Sequence, residues 1–210
     1  MKPDTRLIGL DLGCGFTKAC DGRQTVQFAS LMGDPPDADP SREKPLGAVD
    51  PPEGYAVTLD GGTLLVGSRA ASEAGRPRFP RSPDRLVADF ARLLAVCALS
   101  HFSVQEQPLM VVTGLALDPF RAHGEALAQR LGGYHKVRLQ RAAGGNFEVC
   151  NLHIRKVHVV PHPLGTYAGL TLDPEGRPRP GRYGDGKIAL VDVGFRTTTV
   201  ALVHRGRLMA

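Results

Sequence analysis

The chain has 210 residues, which at roughly 150 residues per domain is room for one full domain and part of a second. Its 42% hydrophobic and 22% charged content excludes a wholly disordered or fibrous protein, and its longest apolar stretch, 86–99, is interrupted by Asp89 and Arg92 and falls short of the roughly 20 residues of a membrane span. The net charge of +5 comes from dispersed arginines with only 6% aromatics to interleave, so direct nucleic-acid binding is not expected. The opening residues carry no apolar signal core, which points to a cytoplasmic protein without a membrane anchor. Cys14, Cys20, Cys97 and Cys150 form no CxxC pair and read as reduced thiols.

Three short strands are predicted at the start, over Arg6–Leu12, Phe16–Cys20 and Thr25–Ser30. The turn at Gly13 and Gly15 separates the first two, and the Asp21-Gly22-Arg23 hairpin signal separates the next. From 33 to about 81 the composition shifts to proline, glycine and charge around a strand pair, Tyr55–Leu59 and Thr63–Val66, which reads as a small inserted subdomain. Ser82, Pro83 and Asp84 then open a predicted amphipathic helix whose apolar face is Leu86, Phe90, Leu93, Leu94 and Cys97. The segment PLMVVTG predicts a strand, followed by a helix from about Pro119 to Leu131 that Gly132 and Gly133 close. A hairpin, Tyr134–Gln140 with Phe147–Val160, precedes a short helix over Leu164–Leu170 and a surface loop over 173–186. A buried strand over Lys187–Val193 then turns at Gly194 into a last strand, Thr197–His204. The alternation of strands and helices predicts an α/β fold.

The two ends of the chain repeat each other. LIGLDLGCGFTK and IALVDVGFRTTT both set an apolar strand before Asp-x-Gly, three variable residues and Thr, so that Asp11 matches Asp192, Gly13 matches Gly194 and Thr17 matches Thr198. One such turn is a common strand end. Two of them predict facing hairpins whose backbone N–H groups meet an anion, each with an aspartate near the metal that accompanies a phosphate. His153, His158 and His162 invite a metal-site reading, but strand alternation is expected to put His153 and His158 on opposite faces.

These residues resemble the actin-like ATPases of the actin, Hsp70 and sugar-kinase superfamily, and most closely the ParM or StbA-like plasmid-segregation type. GLDLGCGFTK is similar to the first phosphate motif and VDVGFRTTT to the second. DGGTLLVGSRA, VVTGLAL and VHVVPHPLGTYAG resemble, in order, the small-subdomain hairpin, the strand and loop after the first long helix, and the strand and helix carrying the catalytic polar residue. The resemblance implies a ribonuclease H-like actin/Hsp70 ATPase lobe, with a mixed sheet flanked by helices. Residues 1–180 would be the first lobe, including the inserted subdomain at about 33–81, and 181–210 the first hairpin of a second lobe. It further implies ATP or GTP with Mg2+. Asp11 and Asp192 would stand at the metal, and Lys18 with the backbone of Gly13, Cys14, Gly15, Phe16 and Thr17 would meet the terminal phosphates. Gly194, Phe195, Arg196, Thr197 and Thr198 would form the facing turn.

Two departures from that pattern stand out. His162 occupies the place of the usual Glu or Gln that orients the attacking water; with Asp192 it is the candidate catalytic residue, since a neutral imidazole can accept a proton or hold a water. The residues expected to contact adenine and ribose do not follow the second hairpin, so hydrolysis would need completion by a second lobe. The leading expectation is a filament-forming ATPase or its N-terminal lobe, self-associating and linked to DNA through an adaptor. The alternatives are a non-catalytic binding module or half-length scaffold, and a kinase- or chaperone-type member of the superfamily.

Overall fold

The computed structural model describes residues 5–36, 54–103, 107–173, 175–181, 183 and 186–209. Of the inserted segment expected over 33–81, residues 37–53 lie outside the described residues. Strand β1 (Arg6–Leu12) turns back into β2 (Phe16–Cys20) and β3 (Thr25–Ala29). The β2–β3 turn closes on Asp21, whose Oδ1 accepts the backbone N–H groups of Arg23 and Gln24 at 2.9 and 2.8 Å. Those two bonds and the Arg6 guanidinium hold the Asp21 carboxyl well below the usual carboxylate range, the Gln24 bond contributing most.

Next come β4 (Met32–Gly33), β5 (Gly54–Leu59), β6 (Gly62–Gly67) and α1 (Ser68–Glu73). The β5–β6 turn puts Asp60 at φ 51° and Gly61 at φ 85°, the positive pair that a tight hairpin between twisted strands needs. α2 (Pro83–Arg85) starts on Ser82, whose Oγ accepts the Arg85 N–H at 3.3 Å. It runs without a break through a π-helical turn (Leu86–Phe90) into α3 (Ala91–Leu99). The expected helix is present, but it is not amphipathic throughout: in α3 every residue except Arg92 is buried.

β7 (Leu109–Leu115), α4 (Leu117–Leu131), β8 (Gly133–Gln140), β9 (Glu148–Pro161) and α5 (His162–Thr171) follow. Gly133, at φ 101°, supplies the left-handed residue after α4, whereas Gly132 is extended. The last strands are β10 (Lys187–Val193), β11 (Thr198–His204) and β12 (Arg207–Leu208).

Among the described residues the strands form one nine-stranded sheet, ordered β3-β2-β1-β7-β9-β8-β5-β6-β4, and one three-stranded sheet, β10-β11-β12. The centre β1-β7-β9 is parallel and the flanks are antiparallel, so the β5–β6 hairpin continues the main sheet through β8. Alternation sorts the faces. Ile8, Leu10 and Leu12 of β1 are buried with Val111 and Leu115 of β7 in the core formed with α3 and α4, which leaves Asp11 on the opposite face. Leu94 and Leu99 are fully buried there, each contributing roughly 1.5–3 kcal/mol of transfer free energy.

Two expectations are corrected. A register shift on β9 pairs Leu109 with Ile154 but Met110 with Lys156. This bulge resets the alternation, so His153 and His158 share a face rather than opposing each other. They still form no metal cluster, because His153 stacks on Tyr134 at 4.1 Å and, among the described residues, no three His, Cys, Asp or Glu groups converge. The strand over Lys187–Val193 was expected to be buried, yet only Leu190 is: α5 packs on one face of this small sheet, and Val191 and Val193 on the other face are exposed. No helix among the described residues is long and apolar enough to cross a membrane.

Candidate functional site

The first turn, 13–16, is closed by the Gly13 N–H donating to the Phe16 carbonyl at 3.0 Å. Gly13 has to be glycine there, since a Cβ would come to 2.7 Å from that oxygen. Buried Ser30 pins the turn from behind. Its hydroxyl donates to the Gly13 carbonyl at 2.6 Å and lies 2.9 Å from the Thr17 hydroxyl, while its N–H donates to the Gly15 carbonyl at 2.9 Å. Thr17 therefore points its side chain into the core and offers only backbone to the cleft. Nothing in the sequence singles out Ser30, which is 13 residues from Thr17 and joins it only through the β2–β3 pairing.

The second turn, 194–197, copies the first. The Gly194 N–H donates to the Thr197 carbonyl at 2.9 Å, and a Cβ on Gly194 would come to 3.0 Å from it. Register completes the match: Leu12 pairs with Thr17 and Val193 with Thr198, Asp11 with Lys18 and Asp192 with Thr199. The repeat read from the sequence is thus one local structure built twice.

His162 is the first residue of α5, directly after β9. β7 lies between β9 and β1, and a side chain on it would block any reach across. Residue 114 of β7 is glycine, and a Cβ there would sit 2.2 Å from His162 Cδ2. The imidazole crosses this gap and brings Nε2 to 3.8 Å from Asp11 Oδ1. That nitrogen is buried without a hydrogen-bond partner among the described residues. Asp11 Oδ2 meets Lys18 Nζ at 3.3 Å, so acid, imidazole and ammonium gather on one sheet face beside the first turn. Asp192 lines a small cavity of about 120 Å³ with Pro163, Thr166 and Thr199 at the first turn of the same helix. His162 thus begins α5, and Asp192 on β10 faces the first turn of the same helix across this cavity.

The tips of the two turns touch. The Phe195 ring lies so close to Gly15 that a Cβ there would come to 2.8 Å from it. Arg196 stacks over Phe79 at 5.2 Å and Phe195 at 5.9 Å, and partial burial pushes the Cys14 thiol pKa up, with the Arg196 charge opposing it only in part. The exposed hydroxyls of Thr197 and Thr198 complete the second turn. Phe79 enters from the arginine- and proline-rich segment, which carries no functional motif.

Comparison with known proteins identifies the fold. A family model described as the actin-like proteins N-terminal domain matches residues 9–165. No curated protein matches the chain. Among solved structures, apo pSK41 ParM superposes with a TM-score of 0.71 at 19% identity, over 97% of this chain and 63% of that one. Ta0583, an archaeal actin homolog, gives 0.72 at 21% identity, over 98% and 59%, and is also known as an ADP complex, with a TM-score of 0.67 at 22% identity over 95% and 56%. A 15-stranded ParM filament from Clostridium botulinum gives 0.61 at 17% identity, over 98% and 61%. The chain therefore spans about three-fifths of the length of the structures it matches. With three quarters of its residues inside the family model and both glycine turns in place, the chain belongs to the actin-like proteins and carries their N-terminal domain.

Proposed function

We propose that this chain is the phosphate-binding lobe of an actin-like, filament-forming ATPase that takes ATP or GTP with Mg2+. The observation that carries the reading is the pair of structurally equivalent Asp-x-Gly turns in contact at their tips. The ADP bound by the homolog Ta0583 supports nucleotide as the ligand, and the ParM filament supports self-association of the whole protein. Plasmid or DNA segregation through an adaptor, in the cytoplasm, is the cellular role that the family relationship favours.

The residues present fit a metal nucleotide. Asp11 and Asp192 offer the hard carboxylate oxygens that Mg2+ prefers, and glycines at 13, 15 and 194 keep side chains off the cradle. Mg2+ supplies charge neutralisation on the phosphoryl oxygens. Lys18 adds a mobile cation beside Asp11, and the backbone of the two turns orients the phosphates. His162 would position the attacking water: its unpaired Nε2, 3.8 Å from an Asp11 oxygen, would accept a hydrogen bond from that water and take that one proton as the water attacks.

Phosphate release and sedimentation in ATP and Mg2+, measured on the chain joined to a second lobe, test the reading. His162→Ala is expected to slow release by about 100-fold or more while ATP binding persists. Release unchanged by the substitution would overturn the role of His162, and ATP binding with neither release nor sedimentation would make the chain a nucleotide-binding module instead.

A further inference from the structure

We propose that Phe195 competes with the phosphate chain for the face of Gly15, and that Phe79 braces it in the competing position, so that this aromatic pair sets the nucleotide affinity of the cleft. The inference rests on the nucleotide reading above and assigns the side chains of the second turn a part that its backbone does not play. Phe195 touches the first turn at a residue without a side chain, because any Cβ on Gly15 would lie 2.8 Å from its Cβ and Cγ. A phosphate gripped between the two turns needs that same space, and the two cannot share it. The ring is not a core residue: it is 62% exposed. What holds it besides Gly15 is an edge-to-face contact with Phe79, centroids 5.8 Å apart with the planes at 89°.

Phe79 is itself anchored. Its neighbour Arg78 bridges Met32 through two backbone hydrogen bonds of 2.8 and 2.7 Å, which ties the segment to the edge of the main sheet. The ring of the second turn is therefore clasped by two parts of the first lobe, Gly15 and Phe79. Arg196 lies across both rings, and among the described residues no carboxylate pairs with it. Displacing the ring from Gly15 frees this guanidinium to meet the incoming anion, so ring and phosphate exchange places while the cation stays at the site.

Calorimetric titration of the 210-residue chain with Mg-ATP tests the competition. An aromatic contact of this kind is worth up to about a tenfold change in affinity. Phe195→Ala is expected to bind several-fold and up to about tenfold more tightly than the parent, and Phe79→Ala more tightly by a smaller factor. Both positions are partly exposed, so the fold should survive, and circular dichroism checks this. The chain has no tryptophan, so Phe195→Trp is its sole tryptophan, and its emission, excited where tyrosine does not absorb, should shift at saturating Mg-ATP as the indole leaves Gly15. Equal or weaker binding by Phe195→Ala, or a silent Trp emission with nucleotide bound, would overturn the competition alone. No binding by the parent or by either variant would overturn the nucleotide reading and the competition with it.

Discussion

Thr113 and His162 each bury a polar atom with no partner among the described residues, and their surroundings give those atoms opposite meanings. Thr113, 2% exposed, faces the core side of β7 between Val111 and Leu115, where an unpaired hydroxyl only costs desolvation. Thr113→Val keeps the shape and removes that cost, so the urea midpoint should rise by the equivalent of about 1 kcal/mol with an unchanged m-value; a lower midpoint would mean the hydroxyl does have a partner. His162 Nε2 instead opens onto Asp11 at 3.8 Å, where an unpaired acceptor can hold water or ligand. Among the candidate site residues, Asp11, Gly13, Asp192 and Gly194 could be nominated because each sits in a short repeated pattern, and His162 because VHVVPHPLGTYAG resembles a family segment. Gly114, Ser30 and Phe79 could not: their parts depend on neighbours brought in by sheet pairing, and a lone Gly, Ser or Phe carries no local sign of it.

Just after the helix that ends at Leu99, His101 contacts Tyr55 of β5 and Arg141, the residue after β8. Its Nε2 lies 2.8 Å from the Tyr55 hydroxyl and accepts from the Arg141 guanidinium at 3.0 Å. Burial first, and the Arg141 charge second, lower its pKa from 6.5 to about 4. The unfolded chain therefore binds a proton below about pH 6.5 that the folded chain refuses until about pH 4, so stability falls as pH drops through that window. Denaturation midpoints measured from pH 7 to pH 4 should show this loss, and His101→Gln should flatten it; an equal slope in both proteins would assign the loss to other groups. Among the elements, the helix start at Ser82-Pro83-Asp84 was readable because capping chemistry is local. The π-helical turn after it and the β9 bulge were not. Each adds one residue to a regular ladder, and the periodicity that identifies a strand or helix is blind to where a single extra residue is absorbed.

Across the whole molecule, the α/β alternation and most strands along the chain were legible because each follows from a pattern a few residues long, whereas their order in the sheet was not. Nor was the exposure of β10, since burial of an apolar strand depends on what packs against it and not on the strand itself. The most telling feature at this scale is that one hairpin recurs at both ends of the chain with the same glycine closure and the same register about its aspartate, and that the copies meet tip to tip. Two carboxylates and two glycine turns so arranged make a metal-phosphate site the central claim. The most direct measurement is calorimetric titration of the chain with Mg-ATP beside the Asp11→Ala, Asp192→Ala double variant, with folding of both checked by circular dichroism. Saturable binding by the parent that the double variant loses is the predicted result; equal binding by both, or none by the well-folded parent, would contradict it.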